Sequence, residues 1–593
     1  MASVPPVLDA TAPFLLFDDA RAEGAGRARL YQRPIDIIET RDPEKVRAML
    51  AGVKEAQRLG LHAAGFLSYE AGYSLEERLR PLRSAPPEDG LPLIWFGLFH
   101  SFEEVVPSEV ERLLPQPQGA LSSPAAPLIE RAAYEEGLAR VKAHIEAGDI
   151  YQANLSFQAE VKALGHPLVL YAKLRPRSEA GHGGIVFTGS HWLLSFSPEL
   201  FFTIEDGRVI ARPMKGTAKR QADSAADAAA ASELLQDPKQ RAENLMIVDL
   251  LRNDLSRVSK PGTVKVPRLF EVESYPTVHQ MTSTVVSELE EGLGAVDLIA
   301  ATFPCGSITG APKIRAMEII AGIEEGPRGV YTGSIGWIEP GGDASFNVAI
   351  RTLTLTPGEH RAALGLGSGI VADSESGAEW RECLAKGAFV EGGRRFYLIE
   401  TMRFDPHDGI AELERHLARM KASAAQLDFS FDRHAARNDL QAATFRLREP
   451  RRLRLVLSSN GSVVIEGRPL PEQPGGPVEI AVRPLPVSSE DFRLRHKTSD
   501  RTFYDEARNG QFEVLFEDDE GFLTEGSFTS LFVEREGKLL TPPLTRGLLP
   551  GILREKLIEE GDAEEAELTV TDLADGFYIG NIVRGLIPAK LAQ

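Results

Sequence analysis

Cysteine is almost missing from this chain: Cys305 and Cys383 are the only two in 593 residues. That scarcity argues against a disulfide-stapled scaffold and makes a reducing cytoplasm the expected compartment. Excess positive charge is missing too. With 86 acidic and 66 basic residues the formal charge is -20, which speaks against broad binding to nucleic acid or anionic membranes. A small anionic substrate stays open, because local arginines or a metal set the field inside a pocket. No apolar run reaches membrane-spanning length. The opening MASVPPVLDATAPFLLFDDA has neither the basic start nor the sustained apolar core of a secretion signal. No fixed-period repeat or coiled coil is visible. What is present is ordinary globular material, 43% hydrophobic and 26% charged, in a chain long enough for several structural units.

The pattern is α/β. RDPEKVRAMLAGVKEAQRLG reads as helix, HAAGFLSYEAG and LPLIWFGLFH as strands, and PQPQGALSSPAAP as a surface loop rich in breakers. IERAAYEEGLARVKAHIEAG begins a long helix, and helices then alternate with short strands to about residue 390. EGGRR, 391–395, separates this region from a second block that restarts with the strand FYLIETMRF and the helix GIAELERHLARMKASAAQL. The expected division is 1–120, 121–392 and 393–593.

Two lysines in polar, small-residue settings stand out: Lys215, expected in a tight polar turn in RPMKGTAKR, and Lys497 in LRHKTSDRTFYDEAR. A lysine amine can clamp an anion, act as a base or attack as a nucleophile; each of these two is equally compatible with a surface or ion-paired role. Around the first lie Glu199 in SPELFF, Glu243 in RAENLMIVDLLRNDLSR, and Glu379 and Glu382 in GAEWRECLAKG. Leu245, Val248, Leu251 and Leu255 are expected to share an apolar side of the Glu243 helix. Glu379 and Glu382, three apart, fall on one helical face. They are either solvated acids near Lys386 or oxygen ligands for Mg²⁺. His279 in TVHQMTSTV is a structural or a site histidine. Arg351 in FNVAIRTL can clamp a carboxylate bidentately, and GLGSGIVADS offers backbone N–H groups that can cradle one.

The ordered set SPELFF, RPMKGT, AENLMIVDLLRNDL, FPCGSITGAPK, YTGSIGW, FNVAIRTL and GIVADSESGAEWRECLAKG resembles the chorismate-utilising enzymes over about 120–390, and most of all their aminodeoxychorismate synthase branch. The resemblance implies a core of packed sheets flanked by helices, with chorismate as substrate. It implies Mg²⁺ on Glu243 and Glu382 with Glu379 nearby, holding a substrate carboxylate. Tyr331, Arg351 and Gly367 match positions that grip the enolpyruvyl carboxylate, and His279 matches a histidine near the ring. Lys215 matches the lysine that attacks C2, while Glu199 protonates the departing C4 hydroxyl. Anthranilate synthases usually carry alanine at the lysine position, so an anthranilate-forming first domain is the disfavoured alternative. Cys305, Ser368 and Gln240 depart from the common pattern. Neither cysteine context resembles a glutamine amidotransferase, so a separate glutaminase subunit or free ammonia is implied.

In the second block, Glu525 lies in GFLTEGSFTSLF, Gly551 and Ile552 open a helix in TRGLLPGILREKL, and Arg419 sits in ERHLARMKA. A helix N-terminus with hydroxyls and an arginine is a natural phosphate site. These motifs and the ending GNIVRGLIPA resemble the fold-type IV pyridoxal phosphate enzymes over about 396–593, especially aminodeoxychorismate lyases. The resemblance implies a two-subdomain fold with Lys497 as covalent holder of the cofactor and proton shuttle. Glu525 is placed at the pyridine nitrogen, and Arg419, Gly551 and Ile552 at the phosphate. A homodimer through this block is compatible with the family. Lyases and branched-chain or D-amino-acid transaminases overlap here, so both readings stand. Together the two resemblances imply a bifunctional enzyme that aminates chorismate and then eliminates pyruvate to give 4-aminobenzoate for folate synthesis.

Overall fold

The computed structural model describes residues 8–221, 223–274, 278–391 and 396–592. The chain divides into two compact units, Met1–Pro117 with Pro124–Ala163 and Pro167–Glu391, and Gln118–Ser123 with Leu164–His166 and Gly392–Gln593. Of the EGGRR segment, residues 392–395 lie outside the described residues.

The first unit is built on two antiparallel sheets. One runs Gly310–Ala311, Gln152–Leu164, Arg361–Ile370, Thr352–Leu355, Trp192–Ser195, Gly183–Phe187, Phe14–Asp18, Ala28–Gln32, Glu103–Val105. The other runs Met214–Lys219, Val278–Glu288, Arg208–Arg212, Leu200–Glu205, Ala344–Asn347, Ser334–Ile338, His62–Leu67, Ile94–Phe99, Asp36–Thr40. Alternate residues of each strand point to one face, and the inner faces meet: Leu15, Tyr31, Val186 and Leu193 of the first sheet share a core with Phe66, Trp95 and Ile335 of the second. The outer face of the second sheet is covered by helices. Val46, Leu50 and Val53 form a buried stripe at helical spacing on Val46–Arg58. This stripe joins a core that also holds Ile247, Val248, Leu251 and Leu255 of Pro238–Ser256. Aromatic contacts of Tyr134 and Trp380 with Phe157 seat the helices Arg131–Glu146 and Ser376–Gly387 on the first sheet.

Three local expectations change. HAAGFLSYEAG is strand only through Leu67, because Tyr69–Ser74 turns into a 3₁₀ helix. Leu245 is 43% exposed; its place on the buried face is taken by Asn244 and Ile247, which are in phase with Leu251 and Leu255. Lys215 lies in the strand Met214–Lys219 rather than in a turn, with only Gly216 in the left-handed region at φ 91°.

The second unit has two sheets of its own. A small antiparallel one runs Gly409–Ile410, Leu398–Asp405, Arg451–Leu457, Val463–Pro469. Its inner face, Leu398, Met402, Leu453, Leu455 and Leu457, packs on Leu417 and Met420 of the helix Leu413–Gln426 and on Leu440 of Arg433–Thr444. The larger sheet runs Leu523–Gly526, Val514–Glu517, Val478–Pro484, Gly585–Leu591, Phe577–Asn581, Ser530–Arg535, Lys538–Thr541, Ala563–Glu565. The whole is a mixed α/β architecture, with sheets and helices in the first unit and a β-rich, two-subdomain second unit. Among the described residues no helix is long and apolar enough to cross a membrane.

Candidate active sites

In the first unit the two sheets and the helices Pro238–Ser256 and Ser376–Gly387 bring Lys215, Glu199, Glu243 and Glu382 into one another's electrostatic field. Lys215 Nζ lies 3.9 Å from Glu243 Oε2. Burial lowers the amine's pKa, and the positive charge of Lys386 adds to that shift against the pull of Glu243, Glu382 and Glu199. Glu199 is pushed up to about 7 by burial, although the Ser307 hydroxyl donates to its Oε1 at 2.7 Å and opposes the shift. The site therefore pairs a lysine biased toward the neutral amine with a carboxyl biased toward the acid, the two states that nucleophilic attack and leaving-group protonation require.

The glycine-rich run is strand, not a free cradle: Gly365, Gly367 and Gly369 lie in Arg361–Ile370, opposite Gln158, Ser156 and Asn154. Period-two spacing puts all three on one face. A Cβ on Gly369 would come within 2.7 Å of Lys215 Nζ, and one on Gly365 would enter the Tyr331 ring, so glycine here is a matter of room. A Cβ on Gly367 would fall 3.0 Å from the Tyr331 hydroxyl. Burial raises the pKa of Tyr331 and lowers that of Arg351. Among the described residues the Arg351 guanidinium has neither a hydrogen bond nor an ion pair, which suits it to an incoming carboxylate. A hollow of about 950 Å³, lined by Glu70, Gln158 and Arg328, shares only Tyr331 with the predicted set.

Among the described residues no three His, Cys, Asp or Glu side chains converge as a preformed metal cage. Glu379 accepts a hydrogen bond from the Ser374 hydroxyl at 2.7 Å, and Glu382 pairs with Lys386 at 2.8 Å. Burial raises the pKa of Glu243, Lys215 opposes, and Asp373 and Glu379 add like charge. Burial also acts upward on Glu382, but Lys386 together with Lys215 and Lys239 outweighs it and holds the carboxyl low. An all-carboxylate donor set carrying mutual repulsion fits a hard cation such as Mg²⁺. His279 lies on the strand that pairs with the Lys215 strand, opposite Ala218; it is buried, with Nε2 3.0 Å from Asp227 and Nδ1 2.8 Å from Ser274, so both ring nitrogens are occupied.

Two site residues escaped sequence reasoning. Lys386 donates to the Gly367 carbonyl at 2.9 Å, and its i, i+4 spacing from Glu382 was the available signal. Gln152 is fully buried beside Gly369, its side-chain amide N and O both without a partner among the described residues, and nothing in its motif marks it.

In the second unit a cavity of about 570 Å³ is lined by Lys497, Glu525, Arg419, Gly551 and Ile552. Among the described residues the Lys497 amine has no hydrogen bond or ion pair. Burial lowers its pKa to about 7, helped by Arg419, Arg501 and Arg454. Burial raises Glu525 to about 7, and the Tyr504 hydroxyl donates to its Oε1 at 2.7 Å. Gly551 caps the nine-residue helix Ile552–Glu560, whose N-terminus faces the cavity. Arg419 spends three of its N–H groups on Glu400, at 2.8 and 2.7 Å, and on the Pro550 carbonyl at 2.7 Å; two remain for an anion. A free buried amine, a buried acid and an anion-binding helix end fit pyridoxal phosphate. Glu400 was missed, although an acid in phase with Leu398 and Met402 on an inward strand face is a readable anomaly. It is fully buried and held well below the carboxylate range, because Arg419 and His416 outweigh desolvation.

Comparison with known proteins follows the same division. Residues 12–392 match the chorismate binding enzyme family model and residues 397–592 match amino-transferase class IV. Aminodeoxychorismate synthase component 1 of Salmonella typhimurium is 43% identical over 256 residues, 43% of this chain and 56% of that protein. Anthranilate synthase component 1 of Streptomyces coelicolor is 42% identical over 259 residues, 44% of this chain and 50% of that protein. The chain thus spans little more than half the length of these relatives. The structure of anthranilate synthase component I from Streptococcus pneumoniae aligns with a TM-score of 0.52 and 28% identity, covering 66% of this chain and 94% of that one.

Proposed function

Because the chain belongs, through residues 12–392, to the chorismate binding enzyme family and continues as a fold-type IV aminotransferase-like domain, we propose that it converts chorismate to 4-aminobenzoate in two steps. Ammonia comes from a glutaminase partner or from solution. The observation that carries the first step is the pairing of the depressed Lys215 amine with the elevated Glu199 carboxyl. Arg351, Tyr331 and the room left by Gly367 position the enolpyruvyl carboxylate. Lys215 attacks C2 of the ring; the two conjugated double bonds shift, C1=C2 to C1=C6 and C5=C6 to C4=C5, and the C4 hydroxyl leaves as water with the proton of Glu199. Ammonia then adds at C4, both double bonds shift back as Lys215 departs from C2, and Glu199 recovers a proton from the incoming nitrogen, leaving 4-amino-4-deoxychorismate. Mg²⁺, held by Glu243, Glu379 and Glu382, would anchor the ring carboxylate. His279, its ring oriented by Asp227 and Ser274, would stand near the substrate ring.

Arg419, Gly551 and Ile552 would hold the phosphate of pyridoxal phosphate and Glu525 its pyridine nitrogen. The cofactor, when bound, supplies an electron sink for the amine-bearing carbon. Lys497 removes the proton from that ring carbon; the C–O bond to the enolpyruvyl group breaks, pyruvate leaves, and the ring becomes aromatic. Incubating the chain with chorismate, Mg²⁺, pyridoxal phosphate and ammonia should yield 4-aminobenzoate and pyruvate in equal amounts, and replacing ammonia by glutamine should stop the reaction. Anthranilate as the product, or amino transfer requiring a keto acid, would contradict the proposal.

A further inference from the structure

The small sheet of the second unit presents one face to its core and the other to the Lys497 cavity. Leu453, Leu455 and Leu457 are buried in the core; Arg452 and Arg454, out of phase with them, line the cavity. The ladder register sets Arg403, Arg452 and Arg468 directly opposite one another across three antiparallel strands. Like charges in that relation destabilise a sheet, and the row is only partly offset. Arg468 lies 3.6 Å from Glu466. Arg454 lies opposite Glu466 in the register without forming an ion pair with it. Among the described residues neither Arg452 nor Arg454 has a side-chain hydrogen bond or ion pair. Across the cavity Arg584 donates to the Glu472 carbonyl at 2.6 Å; burial lowers its pKa, and Arg452 adds to that shift. The cofactor phosphate has its own donors in Arg419 and the helix end, so it does not account for this second concentration of positive charge.

We propose that Arg452 and Arg454 form the carboxylate-binding wall of the second cavity and select a ring-borne substrate with two carboxylates. Resting on the proposed two-step function, the assignment separates a lyase from a transaminase for apolar amino acids, whose side chain would have to lie against unneutralised guanidinium groups. Two residues apart on one strand, the arginines are spaced by about 7 Å along the sheet, a reach suited to carboxylates on separate arms of one six-membered ring. Each carboxylate would gain a charge-assisted, bidentate contact.

The test uses the full chain loaded with pyridoxal phosphate and supplied with aminodeoxychorismate. Arg452→Gln and Arg454→Gln should each raise KM by roughly tenfold and the double variant by about a hundredfold, with kcat little changed; lysine at either position should restore part of the loss. The cofactor-free Arg452→Gln protein should melt at the same or a higher temperature, because the like-charge row is relieved. Isophthalate, but not benzoate, should perturb the bound cofactor's absorbance, and the double variant should lose that response. Unchanged KM, a lowered melting temperature in Arg452→Gln, or an isophthalate response that survives in the double variant would overturn the assignment. So would an arginine-dependent turnover of glutamate in place of aminodeoxychorismate. Failure of the unaltered chain to release 4-aminobenzoate would refute the two-step function, and the isophthalate response would still decide the role of the arginines.

Discussion

The two lysines reach a similar chemical state by different means. Lys215 sits among carboxylates and a second lysine, so its amine is governed by a balance in which burial and Lys386 oppose Glu243, Glu382 and Glu199. Among the described residues Lys497 has no ion pair; Glu400, the acid that acts on it, is engaged with Arg419 and His416, and burial with three arginines sets the shift. The difference separates two uses of one residue type. On the proposed function, a nucleophile that must leave again would work among carboxylates, whereas a cofactor-holding amine would work in a cavity lined by arginines.

The largest effect should come from Glu199, the raised carboxyl in the field of Lys215. Glu199→Gln should reduce amination of chorismate by about 10²–10⁴-fold and leave conversion of added aminodeoxychorismate intact. The pH profile gives the sign. A carboxyl raised to about 7 carries its proton below that value, so amination at fixed free ammonia should fall as pH rises through 7, and the Gln variant should lose this limb.

Next in size is the framework of the second site. Arg419→Ala would leave Glu400 buried without its main partner; losing one half of a buried pair costs about 3–5 kcal/mol. A lowered melting transition of the second unit, with amination retained, checks this. A melting curve unchanged by the substitution would show that Arg419 is held for ligand binding alone.

The smallest effect concerns loading. With its pKa near 7, the Lys497 amine is neutral above that pH and protonated below it. The rate of pyridoxal phosphate capture by the cofactor-free chain should therefore drop by about tenfold per pH unit below 7, followed through the cofactor's absorbance. A rate flat from pH 5 to 8 would place the titration elsewhere.

How much of this was legible in the linear chain depended on whether a residue's partners were near it in sequence. Glu379 and Glu382 lie on one helix and could be read from spacing. Gly551 and Ile552 open a helix that their own motif announces. By contrast, Gly365, Gly367 and Gly369 read as a loop because the reason for them, the Tyr331 ring and the Lys215 side chain, arrives from other strands. Leu245 fits the helical period yet is exposed, since the packing face is set by what covers it. The alternation of RRLRLVL reveals a strand, but only the register against Arg403 and Arg468 shows that its arginines form a row. The partners of the His279 ring, Asp227 and Ser274, were not legible from its motif, because Asp227 lies 52 residues away on another element.

The central claim is that the amine installed at the Lys215 site is the handle used at the Lys497 site. Lys497→Ala protein given chorismate, Mg²⁺ and ammonia should accumulate aminodeoxychorismate without releasing 4-aminobenzoate, and Lys215→Ala protein loaded with pyridoxal phosphate should form neither product. Mixing the two variants should restore 4-aminobenzoate and pyruvate. No recovery on mixing, although each variant is folded and the Lys215→Ala protein converts added aminodeoxychorismate, would contradict a free intermediate passing between the sites; 4-aminobenzoate from the Lys497→Ala protein alone would contradict the second lysine's role.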